Sequence, residues 1–179
     1  MKLVIPSVEF KESFIEAVRE FQACDASDLR TRHYHSMSIP ELENDFESYL
    51  GKLEKMALGE GLPTGWVPAT TYWLVDDATF IGSVNIRHRL TEHLLAIGGH
   101  IGYDIRPSMR NRGYGSEILR LALTKTKALG IERALVTCNA TNEGSRKIIE
   151  KNGGVFESQE LDSESGEEKL RYWIDLSGI

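Results

Sequence analysis

The sequence predicts a mixed α+β fold in a single domain, and three observations carry that prediction. Short apolar alternations mark strands, two of them joined as a hairpin through Asp76-Asp77. Apolar stripes at helical spacing mark the segments before, between and after them. Near the middle, Gly99 to Leu119 reads as strand, basic glycine-containing turn and amphipathic helix. In chain order the elements run β-α-α-β-β-β-α-β-α-β-β. At 179 residues, one domain buries about 70% of its unfolded surface without staples.

Lys2 to Pro6 is the first strand, apolar and β-branched. Phe10, Phe14, Val18 and Phe21 then form one helical stripe that ends near Cys24. Asp25 to Met37 is polar and irregular, and holds Arg30, Arg32, His33, Tyr34 and His35. Ser38-x-x-Glu41, with Pro40 in the first turn, is a capping box. It predicts a helix with Leu42, Phe46, Tyr49, Leu50, Leu53 and Ala57 on its buried side. Gly59 to Pro68 is a Gly/Pro-rich connector, read as a loop over a cleft rather than a domain linker. Thr70 to Val75 and Phe80 to Ile86 are the hairpin strands. Arg87 to Gly98 is a long connection with His88, Arg89, Glu92 and His93.

Ile101, Tyr103 and Ile105 alternate as a half-buried strand, and Pro107 stops the ladder. Ile118, Ala122, Thr126 and Leu129, beside Leu119 and Leu123, give the next helix, which Gly130 closes. Ala134 to Cys138 is a short buried strand. A helix from Asn139–Asn142 ends at Gly153-Gly154, and Val155 to Glu160 and Lys169 to Leu176 are the last strands. The acidic turn between them, Asp162 to Glu168, reads as solvated and without function.

Arg110 to Ser116 packs two arginines and two glycines into seven residues at a helix start. Such a start carries unpaired N–H groups and positive dipole, so it attracts phosphate, and glycine lets a ligand come close. A dinucleotide fingerprint would need glycine at Ile118, and a P-loop would need Gly-Lys-Ser/Thr; neither is present. On the turn alone, a plain strand-turn-helix whose glycines serve only the turn stays open.

Arg110-Asn111-Arg112-Gly113-Tyr114-Gly115 resembles the Arg/Gln-x-x-Gly-x-Gly/Ala signature of the GCN5-related N-acetyltransferases, the GNAT superfamily. It follows a strand ending in Ile-x-Pro, as that signature does. Asn142-Glu143-Gly144-Ser145 through Glu150-Lys151-Asn152-Gly153-Gly154 is similar to the family's Asn-x-x-Ser/Ala-x-x-x-x-Glu-Lys-x-Gly-Phe helix. The resemblance covers essentially the whole chain, weakly before Thr70. It implies a GNAT-type mixed, mostly antiparallel sheet flanked by helices.

It also implies acetyl-CoA as donor and an amine as acceptor. The N–H groups of Asn111, Arg112, Gly113, Tyr114, Gly115 and Ser116 would cradle the pyrophosphate, helped by Arg110 and Arg112. The pantetheine arm would lie along Tyr103, Asp104 and Ile105 like an added strand, one N–H holding the thioester oxygen. Asn142 would cap its helix or contact the cofactor arm, and Ser145 would face the cofactor or serve close packing. Many members carry a tyrosine seven residues after that asparagine as general acid. Here that place is Ile149. A thiolate leaves readily, so the chemistry survives the change, and members resembling the ribosomal-protein N-acetyltransferase branch also lack it.

For the base, His100 and Asp104 lie on the central strand. His88, Glu92 and His93 precede it, and His33 and His35 lie in a loop that would roof the cleft. His100 is the expected catalytic residue, as a relay titrating near ~6.5. The rival reading is a non-catalytic acyl-CoA-binding or regulatory domain that kept the cleft and lost the chemistry.

A net charge of −6 speaks against nucleic-acid binding and suits a cationic acceptor. No apolar run approaches the ~20 residues of a membrane span, and the N-terminus is interrupted too soon for a signal peptide. The expected setting is therefore the cytoplasm. Cys24 and Cys138 form no metal or redox spacing and read as two buried thiols, so no metal is expected. Acetyl-CoA and an amine-bearing acceptor are the expected partners, and a homodimer is compatible with the reading.

Overall fold

The computed structural model describes residues 1–24, 32–163 and 165–179. Two antiparallel sheets share the core. The first is ordered β1-β2-β3-β4, from β1 (Lys2–Val4), β2 (Ala69–Asp76), β3 (Thr79–Arg87) and β4 (Ile101–Ile105). The second is β5-β7-β6, from β5 (Arg133–Asn139), β6 (Val155–Leu161) and β7 (Glu168–Asp175). Helices α1 (Lys11–Gln22), α2 (Arg32–His35), α3 (Ile39–Asn44) and α4 (Phe46–Leu58) precede β2. Helix α5 (Tyr114–Ala128) joins β4 to β5, and α6 (Glu143–Lys151) joins β5 to β6.

Strand alternation divides the first sheet between two cores. Leu74, Val84, Ile86 and Ile101 face α5 with Ile118, Leu119, Ala122 and Leu123. That core continues into the second sheet through Val136, Leu170, Tyr172 and Ile174. Trp73, Val75 and Phe80 face the other way, onto Phe14, Val18 and Phe21 of α1 and Phe46 of α4. Phe14 stacks on Trp73 at 4.5 Å between ring centroids. Each fully buried side chain of this size contributes roughly 1.5–3 kcal/mol.

The capping box behaves as its residues dictate: the Glu41 N–H donates to Ser38 Oγ at 3.4 Å. The helix it opens is shorter than expected. Asp45 leaves helical geometry (φ −141°), and its Oδ1 accepts from the Ser48 N–H at 3.0 Å. A short carboxylate that captures a backbone N–H competes with the helix, so one predicted helix becomes α3 and α4. Leu42 and Phe46 stay buried on either side of the break. In the stretch expected to be irregular, residues 32–35 are helical, and residues 25–31 lie outside the described residues.

Three side chains depart from expectation. Leu129 follows the end of α5 and is exposed. Cys24 is only half-buried, whereas Cys138 is buried. Asp162, in the turn expected to be solvated, is buried and accepts from the Ser165 hydroxyl at 2.6 Å, closing the turn on itself.

Candidate active site

The two sheets separate at one point, and the site grows from that separation. The His100 N–H donates to the Leu135 carbonyl at 2.7 Å, and the Leu135 N–H donates to His100 Nδ1 at 3.0 Å. Gly99 sits so close that an added Cβ would stand 2.7 Å from the Leu135 oxygen. Past His100 the strands part, since β4 pairs only with β3. The Arg87 N–H donates to the His100 carbonyl, and the Arg106 N–H to the Ile81 carbonyl. Antiparallel alternation therefore turns the backbone groups of Gly102 and Asp104 toward β3 and those of Tyr103 and Ile105 toward the free edge.

At the end of that edge the chain turns into α5. Asn111 (φ 61°) and Gly113 (φ 86°) both adopt left-handed geometry, which a non-glycine residue seldom holds. Among the described residues, the N–H groups of Asn111, Arg112, Gly113, Tyr114 and Gly115 find no protein acceptor. A run of unpaired N–H groups at a helix start fits an anionic phosphate. Gly113 has nothing within 4 Å of an added Cβ. Gly115 is different: its Cβ would stand 2.6 Å from Ile148 Cδ1, so this glycine lets α5 close on α6.

A cleft of about 230 Å³ lies between the edge, the turn and α6. Its walls hold Tyr103, Asp104, Ile105, Arg110, Asn111, Tyr114, Gly115, Asn142 and Ser145 of the residues expected to bind the cofactor. Arg112 and Gly113 are exposed beyond it. Ser116 is engaged elsewhere, its hydroxyl and carbonyl each accepting from Asn152 Nδ2 at 3.3 Å. Asn142 caps α6, accepting from the Ser145 N–H at 3.0 Å, and lines the cleft as well. Arg110 reaches back along the strand, where its Nε donates to the Ile105 carbonyl at 3.2 Å.

Two hydrogen-bonded side-chain pairs flank β4, one on each face of the sheet. The Tyr103 and Ser145 hydroxyls stand 3.1 Å apart, and burial pushes the Tyr103 hydroxyl up to about 12. On the opposite sheet face, the Tyr34 hydroxyl donates to Asp104 Oδ1 at 2.5 Å. The Asp104 side chain is 17% exposed, and His33 Nε2 lies 3.8 Å from its Oδ2. Burial raises the Asp104 carboxyl to about 7, outweighing the Tyr34 hydrogen bond and the nearby Arg110 charge, which both lower it. A carboxyl raised that far can exchange a proton near neutral pH.

His100 is 8% exposed and lines neither this cleft nor the larger cavity described below. Its pKa falls, first from burial and then from the Arg87 charge. His88 is bonded to the Thr70 hydroxyl at 2.8 Å, and Glu92 and His93 line a second cavity. Ile149 is fully buried in the α5 core, away from the cleft. Tyr34, expected only as part of an irregular loop, is the partner of Asp104; it stacks on Phe21, thirteen positions away in the chain, a contact that no local signal marks. Among the described residues no cluster of His, Cys, Asp and Glu could hold a metal, and no helix is long and apolar enough to cross a membrane.

The chain matches the family model described as the acetyltransferase (GNAT) domain over residues 17–155. No curated protein sequence matches it. Among solved structures it is similar to the acetyltransferase from Salmonella typhimurium that modifies the N-terminal serine of ribosomal protein L7/L12 (TM-score 0.67, 16% identity, 97% of this chain and 93% of that one). It is also similar to the microcin C7 self-immunity acetyltransferase MccE in complex with acetyl-CoA and AMP (TM-score 0.63, 14% identity, 97% and 91%). A third is a chimera of the spermidine N-acetyltransferase SpeG from Vibrio cholerae with hSSAT (TM-score 0.62, 14% identity, 99% and 98%). At these identities the structures speak for the fold, and the family model, which spans most of the chain, speaks for the family. The chain belongs to the GNAT acetyltransferases, whose acetyl donor is acetyl-CoA.

Proposed function

We propose that this acetyltransferase moves acetyl to a primary amine by direct attack within a ternary complex, in the cytoplasm. One observation carries the reading: Asp104 stands on the strand that borders the cleft, and its carboxyl, raised to about 7, lies on the sheet face opposite the Tyr103–Ser145 pair. Acetyl-CoA supplies an activated thioester when bound. The N–H run from Asn111 to Gly115 suits its pyrophosphate. The outward N–H of Tyr103 is the donor suited to a carbonyl oxygen gaining negative charge.

The acid–base roles follow from the two pairs. An ammonium with pKa ~8 to ~10.4 must lose a proton before nitrogen can attack. Asp104, with Tyr34 holding its carboxylate, is the group we assign to take that proton, and His33 is its exit to solvent. This geometry favours Asp104 over His100, whose Nδ1 is occupied by the Leu135 N–H. The Tyr103–Ser145 hydroxyl pair is the group we assign to return a proton to the departing sulfur, the role left open by Ile149.

A screen of primary amines with release of CoA thiol as readout tests the reading. Turnover with at least one amine, and initial-rate lines that intersect when both substrates are varied, are the expected results. Tight acetyl-CoA binding without turnover on any amine would instead support the non-catalytic reading.

A further inference from the structure

The sheet face that carries Asp104 continues past the cleft. Ser83 pairs with Asp104 and Asn85 with Gly102, so these positions and Arg87 share one face. Gly102 has nothing within 4 Å of an added Cβ, which leaves that face open at its centre. Beyond it lies a cavity of about 820 Å³, walled by Asn85 and Arg87 from β3, by Met56, and by Trp66 of the connector, which is 57% exposed.

Arg87 is the unusual wall. One of its guanidinium nitrogens donates to the carbonyls of Gly98 and Gly99, at 3.1 and 2.9 Å. Among the described residues no carboxylate stands within 4 Å of it. Burial lowers its pKa, the mark of a cation that loses water without gaining a counter-ion. In a chain of net charge −6, a partly buried cation left without an acidic partner stands out. Glu92 lines the same cavity from its exposed rim, where solvent screens its charge.

We infer that Arg87 selects the acceptor, and that the acceptor is an amine carrying an oxyanion, carboxylate or phosphate, at the end remote from the reacting nitrogen. The inference rests on the proposed acetyl transfer. Arg87 lies two strand positions beyond Asn85 and four beyond Ser83, so amine and anion are separated by roughly 7–13 Å. Met56 and Trp66 give the connecting body an apolar wall. A polyamine would bring a second cation against Arg87 and is selected against.

The test uses one tether with four ends: 6-aminohexanoate, 5-aminopentyl phosphate, 6-aminohexanamide and 1,6-diaminohexane. Each is assayed with the whole chain at saturating acetyl-CoA, by release of CoA thiol. The expected KM for at least one anionic end is about tenfold or more below that of the amide and the diamine. The two anionic arms decide between carboxylate and phosphate. Arg87→Gln should bring the ratio near one and leave the KM for acetyl-CoA within about twofold. Should Arg87→Gln unfold, Asn85→Asp places a carboxylate two residues along the same face and should erase the preference with Arg87 still present. Equal KM values for the four ends, or an anion preference that survives both substitutions, would overturn the inference. So would turnover of other primary amines with none of the four accepted. No turnover with any amine would overturn the acetyl-transfer reading itself.

Discussion

Tyr34 and Asp104, separated by 70 positions in the chain, meet in a 2.5 Å hydrogen bond with the tyrosine donating. Tyr34 stacks on Phe21 of α1, so the helical layer holds the hydroxyl while the central strand holds the carboxylate. The bond favours the charged carboxylate and opposes the burial that raises its pKa. Tyr34→Phe keeps the ring and removes the donor. Its pH–rate limb should move to higher pH than that of the unaltered protein, with acetyl-CoA affinity unchanged. A limb that stays in place would show that Tyr34 does not tune the titrating group.

Asp104 should also cost stability near neutral pH. Its folded pKa of about 7 stands above the unfolded value near ~3.9. The unfolded chain thus ionises first, and stability falls as pH rises between those two values. The difference corresponds to at most about 4 kcal/mol. Asp104→Asn, which cannot ionise, should melt higher than the unaltered protein at pH 8 and show little difference at pH 4. Equal melting shifts at both pH values would contradict the raised pKa.

Gly113 has φ 86° at the head of α5, within the run of unpaired N–H groups. Gly113→Glu adds both a side chain and a negative charge where the pyrophosphate is proposed to lie. It should weaken acetyl-CoA binding by more than about tenfold, or ~1.4 kcal/mol, measured by calorimetry on the folded variant. Unaltered affinity would remove the phosphate assignment from this turn.

Ile149 is fully buried, and an added Cβ at Gly154 would stand 2.5 Å from Ile149 Cγ2. Ile149→Tyr therefore overpacks the core and should cost roughly 1–3 kcal/mol in denaturant unfolding, without faster turnover. Ser145→Ala should lower kcat while leaving the fold intact, because the cleft loses one hydroxyl of its pair. Faster turnover in Ile149→Tyr would show that position to be within reach of the sulfur.

The turn, both motif helices and nearly every strand were legible because their signals are local. Asn142 announces its cap three residues before Ser145, and Gly113 and Gly153 stand where left-handed backbone is needed. The α3–α4 break was local too: Asp45-x-x-Ser48 is a capping signal, masked by the continuous stripe of Leu42, Phe46 and Tyr49. The contrast between His100 and Asp104 was not legible. It depends on which edge of β4 stays free, on the register with β3, and on Tyr34 arriving from a distant helix. Likewise nothing local to Arg87 says that its guanidinium will lack an acidic partner.

His100 should prove a structural residue, since its Nδ1 ties β4 to β5 where the sheets part. His100→Gln should lower the melting temperature and leave the position of the pH limb unchanged. Loss of the limb in that variant would return the base role to His100.

The most direct measurement is the pH dependence of kcat, at saturating acetyl-CoA, with two acceptor amines of different pKa, for the unaltered protein and Asp104→Asn. The expected result is one rising limb near pH 7, the same for both amines, and its disappearance in Asp104→Asn with kcat lower by roughly 10²-fold or more. A limb that follows each amine's own pKa and persists in Asp104→Asn would contradict it.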